Sequence, residues 1–380
     1  EAIGDVTGCT VDARVLCDEH TGGCVGKLLG AEVRDCSVRG SVEGRESIGG
    51  IAGGTSSYED ESSILRDCTA HASVDGHSDV GGLVGFHRTR LESCEATGDV
   101  TGGSNVGGAI GNGGLSCETV DVAVTGGDVG GLQDSVGGVS GRLPGGVIED
   151  ATVTVTVTGQ NHVGGVVGVV NDATIKRAEV TGEVFAREHH AGGVVGKQVE
   201  GLVKFCRVDA SVQAEGQAGG ISGRVETGIM ETDTTPGKIV ECSVEGGTVT
   251  AEAYAGGVVG GGTAVVIEDV LNAATVTGQS RIGGLAGTIE QGSIKRGLSI
   301  GPLRNEDRRL SVRFVQMLPS TPPARDSISC DQNKEFDDCY WDVDRTGISE
   351  SAGGQAVTTD EITGEAAAEQ VTEFNFGPKW

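Results

Sequence analysis

The chain has 380 residues, of which 67 are glycine, whereas Trp, Tyr and Phe number only two, three and seven. It therefore lacks the bulky side chains from which two or three ordinary globular domains would build their cores. Its 55 acidic residues against 28 basic ones give a formal net charge of −27, which argues against nucleic acid or an anionic membrane as a partner. No apolar run approaches the length that crosses a bilayer, so we predict no direct membrane insertion of this segment.

Residues 1–20 precede the first repeat and are predicted to form an N-terminal cap or a degenerate coil. Asp5-Val6-Thr7-Gly8 matches the Val-x-Gly that closes later repeats. Cys9 and Cys17 flank a seven-residue stretch and are candidates for a disulfide that closes a loop. The chain begins without methionine or a signal-like region, so we predict a mature or excised extracellular segment, secreted or displayed at a cell surface.

Residues 21–299 contain one glycine signature ten times. The glycine pairs begin at Gly22, Gly49, Gly81, Gly107, Gly137, Gly164, Gly192, Gly219, Gly256 and Gly283. A unit of about 27 residues that recurs in this way is typical of a solenoid, in which each unit buries its apolar face against its neighbours. We therefore predict an all-β fold, a parallel β-solenoid (β-helix) of about ten coils.

The unit from Val163 to Gly192 predicts three short strands. Val163 to Val170 forms one extended segment, Asn171-Asp172 offers a turn, and Thr174 to Val180 forms a second strand. Thr181-Gly182 then bends the chain before a third strand.

The glycine pairs are expected to adopt positive φ angles or to let strands approach closely, since they lack a Cβ atom. The structural glycines are represented by Gly81, Gly82, Gly85, Gly164, Gly165, Gly168, Gly192, Gly193 and Gly196. The residue before each pair is small and apolar in most units, which predicts an inward-facing stack.

Most cysteines of the repeats share one position of the unit, occupied by Cys36, Cys68, Cys94, Cys206 and Cys242. Ala151 and Ala178 occupy the same position in other units. A position that accepts both Cys and Ala favours core packing over thiolate chemistry.

Two insertions emerge between the glycine pair and the cysteine position, at 54–63 and 224–238. Insertions at one register line one face of a solenoid. We therefore predict a ligand face that contains Tyr58, Glu59, Asp60, Glu61, Glu226, Met230, Glu231 and Asp233. The alternative is that both insertions are tolerated surface loops.

Residues 300–380 lose the repeat and contain seven of the aromatic residues. We interpret this segment as a C-terminal cap over the open end of the solenoid. Cys330 and Cys339 are candidates for a second disulfide. The stretch from Thr359 to Gln370 predicts one or two short helices with an N-cap at Thr358 or Thr359.

These motifs resemble a known repeat family. Val-Gly-Gly-Leu-Val-Gly at 80–85, with Cys-Glu-Ala-Thr-Gly-Asp-Val-Thr-Gly at 94–102, is similar to the GLUG repeat of large secreted and cell-surface proteins. The tail resembles the segment that follows such arrays, through Cys-Tyr-Trp-Asp at 339–342 and Thr-Thr-Asp-Glu-Ile-Thr-Gly at 358–364. The resemblance implies adhesion or surface architecture, and it supplies no catalytic residues.

The charge balance favours a halophilic source, because molar salt shortens the Debye length to about 3 Å and screens the self-repulsion. With the GLUG resemblance, the scarcity of Lys relative to Arg suggests a haloarchaeal protein. An ordinary acidic secreted protein is the alternative.

The sequence contains few candidates for chemistry. Asp342, Asp344 and Thr346 match the first half of a calcium loop, but Gly353 replaces the final Glu. We therefore predict no cofactor, with a structural Ca²⁺ at these residues as the weaker alternative. His189 and His190 are adjacent, which favours a solvated turn over chelation.

We predict a chain that is not an enzyme but an extracellular scaffold. Its expected partners are a glycan or a surface protein, with end-to-end self-association as a further option. The alternative function is a polysaccharide-cleaving β-helix enzyme.

Overall fold

The computed structural model describes residues 2, 4–57, 62–228, 235–305, 313–317, 336–337, 339–346 and 355–361. It is a parallel β-solenoid of about ten coils with almost no helix, as predicted. Successive coils stack in register, so that Gly164 pairs with Gly137 on one side and with Gly192 on the other. Within these residues, no helix is long and apolar enough to cross a membrane.

Each coil crosses four stacks of strands, which we call the first to fourth walls. The first wall leads into the glycine pair and consists of Glu19–Gly22, Glu46–Gly49, Ser78–Gly81, Ser104–Gly107, Val136–Gly137, His162–Gly164, His190–Gly192, Gln217–Gly219, Tyr254–Gly256 and the start of Arg281–Ser299. The second wall leaves the pair and consists of Val25–Leu29, Ala52–Ser56, Val84–His87, Ile110–Gly113, Ser140–Leu143, Val167–Asn171, Val195–Val199, Ser222–Glu226 and the start of Val259–Asn272.

The third and fourth walls complete the coil, and several strands run from one into the other. The third wall begins with Val6–Thr7, Glu32–Arg34, Ile64–Arg66, Arg90–Ala96, Glu118–Thr125, Val147–Thr154, Thr174–Lys176, Leu202–Lys204 and Gly237–Gly246. The fourth contains Thr10–Leu16, Ser37–Glu43, Thr69–Ala70, Ser73–Asp75, Val100–Gly102, Val129–Gly131, Thr156–Gly159, Glu179–Ala186, Arg207–Ala214, Thr248–Ala251, Thr275–Gly278 and Leu303–Asn305.

The glycine pair forms an arch between the first and second walls. This corrects the prediction of one extended segment, because the chain bends at Gly165-Val166 between two separate strands. Two reasons for glycine were predicted, positive φ angles and close approach of strands. The first is wrong for this pair, since Gly164 and Gly165 do not adopt positive φ. A Cβ atom on Gly165 would overlap the carbonyl oxygen of Gly193 in the next coil. Close backbone approach is therefore what selects glycine here.

The predicted turn at Asn171-Asp172 is present, with Asp172 at a φ of 48°. A second left-handed corner, between the third and fourth walls, was not predicted, and we call it the αL corner. It recurs one residue before the cysteine position, at Asp35, Asp67, Ser93, Asp121, Asp150, Arg177, Phe205, Glu241, Asp269 and Arg296. Asp is favoured there because its short polar side chain tolerates this conformation.

The interior is a continuous core of Val, Ala, Ile, Leu and Cys. The predicted inward stack before the glycine pairs is confirmed, since Val80, Val163 and Ala218 are fully buried. Cys36, Cys68, Cys94, Cys206 and Cys242 are also buried, with free thiols. The cysteine position therefore serves packing, as predicted.

Parallel pairing extends past both predicted boundaries of the repeat array. At the start, Val6 pairs with Val33, and Thr10–Leu16 pairs along the whole of Ser37–Glu43. At the other end the tail adds the strands Arg313–Met317, Phe336–Asp337, Tyr340–Asp342 and Gln355–Val357, and the helix Val343–Thr346. Arg313 pairs with Gly283, so the stacking continues where the glycine signature has ended.

Candidate functional site

Both large insertions leave the solenoid at the same corner, between the second and third walls. The first residues of both predicted insertions belong to strands of the second wall, which end at Ser56 and at Glu226. We call this long edge the insertion edge. Of the predicted ligand residues, Glu226 is described, whereas Tyr58, Glu59, Asp60, Glu61, Met230, Glu231 and Asp233 lie outside the described residues.

The second wall presents a basic column beside the insertion edge. In-register pairing places these residues in successive coils: Lys27, Gly54, Phe86, Asn112, Arg142, Val169, Lys197, Arg224, Gly261 and Thr288. Four of the ten are Lys or Arg and none is acidic, although the whole chain has almost twice as many acidic as basic residues. The sequence analysis did not identify this column, although each of its residues lies five positions after the first glycine of its pair.

A groove of about 810 Å³ opens on the insertion edge where the first insertion emerges. Ser57 and Ser62 line one end of the groove. The exposed Leu115 and the half-buried Pro144, from two following coils, line another part of it. Its basic side chains are Arg88, Arg90 and Arg142, against one lining carboxylate, Glu118. We call this feature the arginine groove.

The three arginines of the groove differ in their partners. Arg90 pairs with Glu118 at 2.8 Å and with Glu92 at 3.0 Å, so its charge is matched. Arg88 and Arg142 are exposed, and neither forms an ion pair with a carboxylate of the described residues. The guanidinium carbon of Arg88 lies 4.9 Å from the ring centroid of Phe86, which holds it at the groove wall.

Asp79 is an acidic group near enough to Arg142 for the two charges to interact. Burial raises the pKa of Asp79, while hydrogen bonds from Asn105 and Asn112 and the charge of Arg142 lower it in part. The amide of Asn105 donates to Asp79 at 2.8 Å. Asp79 is thus tied to its own neighbours rather than paired with Arg142.

Further along the same edge, Glu226 holds the basic column together. It accepts from Lys197 at 2.9 Å and from Arg224 at 3.2 Å. These contacts lower the pKa of Glu226 against the opposing effect of burial. Glu226 thus offsets one of these two positive charges, whereas in the arginine groove neither Arg88 nor Arg142 forms an ion pair with a carboxylate of the described residues.

A histidine pair lies on the first wall beside the basic column. The rings of His162 and His190 stack with centroids 4.9 Å apart, and their Nδ1 atoms are 3.0 Å apart. Burial, with nearby charges such as Lys197, lowers the pKa to about 4 for His162 and to about 3 for His190. Both rings are thus neutral at pH 7. Because His190 begins the strand His190–Gly192 and its ring packs against His162, the predicted solvated turn is wrong for this residue.

The weak calcium candidates lie together at the helix Val343–Thr346. The buried Asp342 caps this helix, because its carboxylate accepts from the backbone N–H groups of Asp344 at 2.9 Å and Arg345 at 3.1 Å. The hydroxyl of Thr346 donates to the Asp342 carbonyl oxygen. These groups satisfy each other, and across the described ranges no three His, Cys, Asp or Glu residues are placed to hold a metal ion.

The predicted disulfide between Cys9 and Cys17 is not formed, and both thiols are free. The residues between them form the strand Thr10–Leu16. A strand advances about 3.3 Å per residue, whereas a disulfide needs Cα atoms within about 7 Å. Cys339 is buried, and its predicted partner Cys330 lies outside the described residues.

The fold and the edge together define a β-solenoid that exposes a groove and a basic column along one side. No protein-family model matches the chain, and no curated protein matches it. Among solved structures, the chain is similar to a protein from Bacteroides ovatus described as a "putative immunoglobulin A1 protease". The identity is 14% over 92% of this chain and 81% of that chain, with a TM-score of 0.38.

This comparison corrects one prediction. The chain was predicted not to be an enzyme, and the similarity to a protein described as a protease contradicts that statement. At this identity and TM-score the similarity assigns no protease activity, substrate or catalytic residue to the chain.

Proposed function

We propose that this solenoid is an extracellular scaffold whose insertion edge binds a glycan or a surface protein. The observation that carries the proposal is the convergence of both insertions, the basic column and the arginine groove on that one edge. Function in solenoids commonly resides in loops that emerge on one face. The other walls serve mainly to position this edge.

The resemblance to GLUG repeats and the charge of −27 support a location outside the cell in a saline environment. A highly charged surface keeps a long rod soluble, and salt screens its self-repulsion. A haloarchaeal source and end-to-end association through the terminal coils belong to the same proposal.

The neighbouring coils provide the design for a test. Ser56 pairs with Leu29 and Ile64 with Glu32, so the Gly-Ala at 30–31 fills the gap that residues 57–63 fill in the next coil. Likewise Glu226 pairs with Val199 and Lys238 with Leu202, so the Glu-Gly at 200–201 corresponds to residues 227–237. Replacing each insertion by the shorter native corner should preserve the fold.

Labelled protein is applied to arrays of extracellular glycans and surface proteins at low and at molar salt. We expect the doubly shortened variant to lose most of the binding of the parent chain while keeping its melting temperature within a few degrees. As a control, Leu132→Ser changes an exposed residue at a different corner and should bind like the parent. Undiminished binding by the shortened variant would remove the proposed role of the edge.

A further inference from the structure

We propose that the arginine groove binds a short carboxylated oligosaccharide, with the carboxylates of uronate-type sugars held by Arg88 and Arg142. This inference rests on the proposed binding function of the insertion edge and specifies its ligand. The juxtaposition that supports it is a groove with two exposed guanidinium groups, neither of which forms an ion pair with a described carboxylate, on a rod with a net charge of −27.

The need for an anion follows from the charge pattern. Two basic residues in or near the groove are matched by carboxylates, in the pairs Arg90–Glu118 at 2.8 Å and Arg66–Glu92 at 3.0 Å. Arg88 and Arg142 form no such pair with a described carboxylate. A guanidinium group binds a carboxylate through two parallel hydrogen bonds, which gives orientation as well as affinity.

A sugar fits the remaining lining better than an acidic peptide does. Ser57, Ser62, Ser116 and Asn112 contribute hydroxyl and amide groups that suit sugar hydroxyls. The half-buried Phe86, whose ring contacts Arg88, adds aromatic surface to the groove wall beside that guanidinium group. A peptide would gain less, since the apolar lining is limited to Ile64, Phe86, Leu115 and Pro144 apart from aliphatic stems.

The ligand should be short. The groove volume of about 810 Å³ lies in the range of sites that hold small ligands, about 300–1,000 Å³. A long polyanion would extend over the acidic remainder of the rod, where repulsion acts within a Debye length of about 8 Å at physiological ionic strength. The same argument disfavours nucleic acid.

The test is calorimetric titration of the full chain with trigalacturonic acid, its methyl ester and hexaglutamate. The variant Arg88→Gln/Arg142→Gln removes the charges of both residues. The matched control, Arg39→Gln/Arg187→Gln, removes two charges that are also exposed and lie on or beside the fourth wall. Thermal unfolding verifies that both variants are folded.

We expect trigalacturonic acid to bind, the methyl ester to bind at least tenfold more weakly, and the groove variant to lose at least tenfold in affinity while the control keeps it. Equal binding of acid and ester, or equal losses in both variants, would overturn the inference. Binding of hexaglutamate alone with the same dependence on Arg88 and Arg142 would replace the sugar by a peptide. Failure of all three probes, with array binding still lost in the shortened variant, would refute this ligand but leave the proposed function standing.

Discussion

The two kinds of bend in each coil obey different rules. At the arch, a Cβ atom on Gly165 would overlap the backbone of the next coil, so the glycine pair recurs in every repeat. At the αL corner, the φ angles lie between 50° and 57°, yet the position holds Asp, Ser, Arg, Phe and Glu. One bend excludes any side chain for lack of space, whereas the other imposes only a conformational cost of about 1–2 kcal/mol. Repetition in this sequence therefore marks steric exclusion rather than bending as such.

The strongest way to break this comparison is to place a side chain at the arch. Gly165→Ala should destabilise the solenoid by about 4 kcal/mol or more, because the added methyl group meets the Gly193 carbonyl oxygen and lies 2.7 Å from Val180 Cγ1. The contact with Gly193 joins stacked coils, and the contact with Val180 crosses the interior of the same coil, so the backbone cannot relax at one wall alone. Chemical denaturation measures the change.

The matched control is Gly130→Ala in the fourth wall. A Cβ atom on Gly130 would approach nothing closer than Thr158 Oγ1 at 3.7 Å, which is an ordinary contact. This variant should stay within about 0.5 kcal/mol of the parent. Similar losses in the two variants would show that glycine at the arch is not selected by space.

A medium effect is expected at the histidine pair, which immediately precedes the arch. Burial is the largest cause that lowers the pKa of His162 from its ordinary value of 6.5 to about 4. The unfolded chain therefore binds protons that the folded chain does not, and stability should fall as pH decreases from about 6.5 to 4. His162→Gln/His190→Gln should reduce this acid-induced loss by about 3 kcal/mol, since the pKa of His162 alone falls from 6.5 to about 4 and one pKa unit corresponds to about 1.4 kcal/mol.

Urea unfolding at a series of pH values measures this difference. Gln is a suitable replacement because Gln217 follows His190 in the same column. His71→Gln is the control, since His71 is exposed and its ring forms a hydrogen bond with Thr97 at 2.7 Å. An unchanged pH slope in the double variant would mean that the pair does not stay neutral in the folded chain.

The sequence predicted the features that depend on exclusion and burial. The glycine pairs, the apolar residue before them and the cysteine position each recur with one physical requirement, so they revealed the coil, its length and its core. The αL corner was missed because its requirement concerns φ alone, which Arg177 and Phe205 meet without a common chemistry.

The arginine groove was missed for a different reason. Arg88 and Arg142 belong to separate repeats, and they line one groove because in-register stacking brings Phe86, Asn112 and Arg142 together. That register was accessible from the sequence, since Phe86, Asn112 and Arg142 each lie five residues after the first glycine of their pair, but the alignment alone does not show the groove beside them. Of the predicted ligand residues, the described Glu226 lies at the insertion edge.

The smallest effect is expected at the αL corner itself, where Phe205 has a φ of 57°. Phe205→Asn should be more stable than Phe205→Ala by about 1 kcal/mol, because Asn tolerates the left-handed conformation whereas Ala retains the Cβ strain. Both variants lose the contact of Lys204 with the Phe205 ring, in which Lys204 Nζ lies 4.4 Å from the ring centroid. The difference in stability between the two variants therefore reports the cost of the left-handed backbone conformation. Thermal unfolding of both variants measures it. Equal stabilities of the two variants would mean that stacking between coils holds this corner in place, whatever conformation the residue itself prefers. The αL corner and the arch would then differ only in how strongly the surrounding coils constrain them.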